Sequence, residues 1–78
     1  MVGFDRITCD PNVMGGRACI RGMRVTVSLI VNLVANGMST EEILKAYPYL
    51  EREDIRQAIQ YAAWLAEESV LPVEIAPA

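Results

Sequence analysis

The sequence predicts a mainly α domain with a small N-terminal β-hairpin, arranged as a trihelical helix-turn-helix unit. Three observations carry that expectation. Extended, glycine-punctuated pieces fill residues 5–27. Three segments with helical start and stop signals fill 27–36, 40–46 and 51–68. A chain of 78 residues has room for one such domain. Residues 1–68 therefore read as that domain and 69–78 as an extended C-terminal tail.

Ile7-Thr8-Cys9 leads to Asp10-Pro11-Asn12, where Asp favours the first turn position and Pro sets φ at the second. Gly15-Gly16 permits positive φ and ends that loop. Ala18-Cys19-Ile20 then passes through an Arg21-Gly22 turn into the β-branched, alternating run Arg24-Val25-Thr26-Val27. Strands this short do not stand alone. They must lie on the helices or pair with another copy.

The first helix is expected from Val27 to Asn36, capped by Thr26 or Ser28 and stopped by Gly37. Leu29, Ile30, Val31, Leu33, Val34 and Ala35 leave it only a narrow polar stripe, so it reads as the buried centre. Ser39 and Glu42 have the spacing of a capping box, which opens the second helix from Thr40 to Ala46. Pro48 ends it, because proline disfavours helix in the residue before it. The third helix runs from Glu51 to Glu68, with Glu51, Glu53 and Asp54 where the helix dipole favours acids. Its core stripe is expected at Ile55, Ala58, Ile59, Ala62 and Leu65.

Composition narrows the chemistry. Histidine is absent, which removes an imidazole base and a His-ligated metal. The two cysteines, Cys9 and Cys19, are too few for a disulfide scaffold or a thiolate zinc site. They read as small packed hydrophobes, or as a redox pair if their strands bring them face to face. Gly15-Gly16-Arg17 lacks the Lys-Ser/Thr ending of a phosphate loop and reads as a turn. No catalytic residue, cofactor or metal is expected, and the protein is read as non-enzymatic. No signal peptide opens the chain, and Val25 to Ala35 is about half of a membrane span, so a soluble, cytoplasmic protein is expected. At 53% hydrophobic, so small a body points to a partner interface, and a homodimer is expected.

Charge is unevenly spread. Residues 11–40 carry Arg17, Arg21 and Arg24 and no acid, whereas residues 41–78 carry eight acids against Lys45, Arg52 and Arg56. A helix that reads DNA needs basic or amide side chains at its N-terminal end. Here that end is Glu51-Arg52-Glu53-Asp54, with only Arg52, Arg56 and Gln57 suited to DNA. Arg17, Arg21 and Arg24 are the better cationic set, since guanidinium forks suit phosphates. The plainer alternative pairs them with the acidic third helix within the fold. Tyr61 and Trp64 either finish the core or form an interface patch. Val70, Leu71, Val73 and Ile75 of the tail suit strand addition or groove binding to a partner, and equally a fold-back over Trp64.

The run Ile7-x-x-Asp10-Pro11, then Gly15-Gly16-Arg17-Ala18-Cys19-Ile20-Arg21-Gly22-Met23-Arg24-Val25-x-Val27, resembles the domain-of-unknown-function family four-hundred-thirty-three. The likeness continues through Gly37-Met38-Ser39-x-Glu41-Glu42-Ile43, Tyr47-Pro48-x-Leu50 and Asp54-Ile55-x-x-Ala58-Ile59-x-Tyr61-Ala62, over residues 5–65. Ala18 stands where proline is common and Met23 where threonine is common. The resemblance implies a homeodomain-like or winged-helix-like fold and a VapB-type antitoxin, encoded beside a PIN-like nuclease toxin. The expected role is thus an antitoxin of a type II pair that sequesters the toxin and binds its own operator DNA. The alternative is a dimeric helix-turn-helix regulator without a toxin. DNA contact is assigned to Arg17, Arg21, Arg24, Arg52 and Arg56, and partner contact to Tyr61, Trp64 and the apolar tail residues.

Overall fold

A computed structural model describes residues 4–68. Two strands of two residues each, β1 (Ile7–Thr8) and β2 (Cys19–Ile20), precede three helices, α1 (Val27–Ala35), α2 (Thr40–Ala46) and α3 (Arg52–Glu68). The protein is mainly helical, with a small antiparallel hairpin at its N-terminal side. No helix among the described residues is long and apolar enough to cross a membrane. The 69–78 tail lies outside the described residues.

The register pairs Ile7 with Ile20 and Thr8 with Cys19. At the far end of β2, Arg21 and Gly22 both take positive φ, +46° and +73°, and the Met23 N–H donates to the Ile20 carbonyl at 2.8 Å. That is the pattern of a type I′ turn, which matches the twist of paired strands. The strand expected at Arg24–Val27 is reduced to a single bridge, Cys19 to Thr26. Its reason is local: Thr26 is already the N-cap of α1, its hydroxyl accepting the Leu29 N–H at 3.0 Å.

α1 stops through a Schellman motif. Gly37, at φ +92°, donates to the Val34 carbonyl and Met38 to the Leu33 carbonyl. α2 opens on a complete capping box between Ser39 and Glu42, with bonds of 2.8 and 3.1 Å. Glu51, expected as the first residue of α3, stands just before it, and Asp54 accepts its N–H at 2.8 Å. α2, the short Tyr47 to Glu51 connection and α3 make the helix-turn-helix outline.

α1 packs chiefly on α3, and the core gathers Ile7, Ile20, Val25, Val27, Ile30, Ile43, Leu50, Ile55, Ala58 and Tyr61. Two packing expectations are corrected. α1 is not buried on most sides: only Val27 and Ile30 are fully covered, while Val34 and Ala35 are exposed. Strands of two residues are too short to cover its second face. On α3 the buried face is Asp54, Ile55, Gln57, Ala58 and Tyr61, and Ile59 and Leu65 are exposed. The ribbon hydrogen-bonds to Asp54 and Gln57 and so takes the face where an apolar stripe would have put water. Leu65 keeps the helical spacing of the core but lies one turn past the body that would cover it.

Candidate functional site

Two features of the structure concentrate chemistry: a buried ionic junction and an apolar groove. The junction is built on Asp54, which is 0% exposed. Its Oδ1 accepts from Arg6 Nη1 at 3.0 Å and Arg21 Nε at 3.1 Å. Its Oδ2 accepts from Arg21 Nη2 at 2.8 Å and from the Glu51 N–H at 2.8 Å. Arg6 also meets Glu51 at 2.5 Å, so the cluster has two cations and two anions. Gln57 completes the seam: its Oε1 accepts the Arg6 N–H, and its Nε2 donates to Asp5 and Glu53. Burial pushes the Asp54 carboxyl up, but hydrogen bonds from Arg21, the Glu51 N–H and Arg6 outweigh it and hold it below its ordinary value. Those bonds raise both arginines in turn.

The junction changes the reading of the arginines. Arg21 stays exposed but is tied to Asp54 and, at 3.0 Å, to the Tyr49 carbonyl, so its guanidinium is engaged within the chain, unlike those of Arg17 and Arg24. Arg52 pairs with Glu41 at 2.6 Å, and Arg56 pairs with Glu53, lowering that carboxyl to about 2. Arg17 and Arg24 are exposed and make no ion pair among the described residues.

The groove runs between the start of α1 and the last turns of α3, with an open volume of about 550 Å³. Ala18, Thr26, Val27, Ser28 and Val31 line one wall, Tyr61, Ala62 and Leu65 the other, and Arg17 adds its cation to the lining. Tyr61 is only 7% exposed, so it belongs to the core and not to a surface patch. Its ring meets Phe4 edge-on at 5.5 Å and Trp64 at 5.8 Å. Trp64 remains 39% exposed and Leu65 42%. Val70, Leu71, Val73 and Ile75 lie outside the described residues. Cys9 and Cys19 do not face each other, since Thr8 is the partner of Cys19; Cys9 is exposed and Cys19 buried, both as free thiols.

Reasoning from sequence missed Arg6, Asp54 and Gln57 as a unit, because Arg6 lies 48 and 51 residues from the other two and leaves no local signature. It also missed the groove, whose one available sign was an apolar run, Ala62 to Ala66, longer than a one-sided stripe needs.

The family described as "Protein of unknown function (DUF433)" matches residues 7–62. Over 56 residues the chain is 43% identical to the "Uncharacterized protein y4eO" of Sinorhizobium fredii, covering 72% of this chain and 25% of that protein. It is similar to the crystal structure of a DUF433 member protein from Anabaena variabilis, with a TM-score of 0.74 and 35% identity. That likeness covers 81% of this chain and 62% of the other. The chain thus spans about a quarter of the curated relative and under two thirds of the solved one.

Proposed function

The chain belongs to the DUF433 family of proteins of unknown function, and within it we propose an antitoxin-like, non-enzymatic role, the sequestering of a PIN-like nuclease toxin. The observation that carries this reading is the apolar end of α3, where Trp64 and Leu65 stay exposed on a helix that is apolar on every side from Ala62 to Ala66. An exposed aromatic beside apolar neighbours is the composition of a protein-binding hot spot. The opposite end of α3 argues against base reading, since Arg52 and Arg56 are already neutralised by Glu41 and Glu53.

Co-expression with an adjacent PIN-like reading frame tests the proposal. One stable complex with suppressed RNA cleavage is expected. Trp64→Glu should release the nuclease while the thermal midpoint moves by only a few degrees, because the side chain is partly exposed. Equal inhibition by wild type and variant would count against the assignment. Operator binding is the second part of the proposal, favoured by the exposure of Arg17 and Arg24. The double variant Arg17→Ala/Arg24→Ala should abolish operator shifts at low salt and leave the circular dichroism unchanged. Shifts that persist would reassign the contact.

A further inference from the structure

We propose that Asn36-Gly37, at the end of α1, is a site of spontaneous covalent modification, where the chain converts its own asparagine into aspartate and isoaspartate. The only co-reactant is water. The Gly37 backbone nitrogen loses its proton and attacks Asn36 Cγ, closing a five-membered succinimide. The side-chain amide nitrogen takes up a proton and leaves as ammonia. Water then opens the ring at either carbonyl. One opening gives aspartate with the main chain unchanged, and the other gives isoaspartate with the main chain routed through the side chain.

The sequence holds three asparagines, and the residue after each one sorts them. Asn12 precedes Val13 and Asn32 precedes Leu33, whose side chains crowd the attacking nitrogen, Val most because it branches at Cβ. Asn36 precedes a glycine, which has no side chain to obstruct the ring. Both residues are exposed, and nothing lies within 4 Å of where a Cβ on Gly37 would sit. Asn32 lies within α1, whereas Asn36 caps its end, where helical hydrogen bonds open most readily. Two such bonds delay the attack: Gly37 N–H to the Val34 carbonyl at 3.0 Å, and Asn36 Nδ2 to the Asn32 carbonyl at 2.8 Å. Either product is ionised at neutral pH and adds one negative charge to a chain already at -3. That charge falls at the negative end of the α1 dipole, with no basic residue in the last turn to offset it. The donor to the Asn32 carbonyl goes with the ammonia. Isoaspartate also lengthens the main chain by one carbon, which shifts Gly37 and Met38 away from the Val34 and Leu33 carbonyls. Modification thus loosens the corner between α1 and α2.

The full chain, held for weeks in warm, mildly alkaline buffer, should gain the mass of an amide turned into an acid. Peptide mapping should place nearly all of that gain at Asn36, with isoaspartate the larger product. The same incubation in urea should run faster, because both delaying bonds are then open. Asn36→Gln should keep its mass, since the longer side chain must close a less favourable six-membered ring. Asn36→Asp should lower the thermal midpoint by a few degrees, reproducing the aspartate product. No gain in the folded chain, while the unfolded chain converts, would overturn the proposal. So would conversion spread evenly over Asn12, Asn32 and Asn36. An Asn36→Asp variant as stable as the wild type would overturn the loosening of the α1–α2 corner.

Discussion

Asp54→Ala is expected to cost about 3 kcal/mol, the low end of the range for breaking a buried ion pair. The low end applies because the arginines left behind are not themselves buried: their side chains are 25% and 37% exposed and regain water. What is lost is still substantial. The start of α3 loses the acceptor for the Glu51 N–H, and Arg21 loses the bidentate partner that holds it in its strained turn. In a domain of this length the thermal midpoint should fall by roughly 12 °C or more. The same carboxylate sets a pH dependence. Its folded-state pKa is depressed from an ordinary 3.8, so its contribution is present above that value and disappears as pH falls through the lower folded value. Wild-type stability should therefore decline below about pH 4 more steeply than that of Asp54→Ala. Chemical denaturation at pH 7 and pH 3 measures both; parallel losses in the two proteins would remove Asp54 from the account.

Ile30→Ala should cost roughly 2–5 kcal/mol, from lost transfer energy plus the cavity left behind. Ile30 is 0% exposed in the core, on the helix that packs chiefly on α3. Val34→Ala, one turn later on the same helix, removes a side chain that is already 37% exposed, and should cost well under about 1 kcal/mol. Urea midpoints of the two variants decide the matter. Similar losses would mean that α1 is buried on both faces in solution, as the sequence alone suggests.

The helices were legible because their signals are local. Thr26, Ser39 and Gly37 each act within four residues of themselves, and each does in the fold what its position implies. The face that α3 buries was not legible. Apolar spacing favoured Ile59 and Leu65, whereas the covered face includes Asp54 and Gln57, two polar residues that no hydrophobic pattern selects. Their burial is tolerable only because Arg6, Arg21 and Asp5 arrive from the other end of the chain. The candidate site suffered from the same blindness. A run of three arginines without acids looked like one cationic surface until Arg21 paired with a carboxylate 33 residues away.

That long tether also orders events in time. The caps of α1 and α2 join residues three to five apart, so their closure is fast and needs nothing distant. Arg6 must instead close loops of 45 and 48 residues to reach Glu51 and Asp54, and Ile7 and Ile20 reach the core they share with the helices only through the same long-range docking. The helices are then the scaffold on which the ribbon condenses last. By the same reasoning the ribbon opens first, so its amides exchange with solvent through a partial opening that leaves the three helices standing.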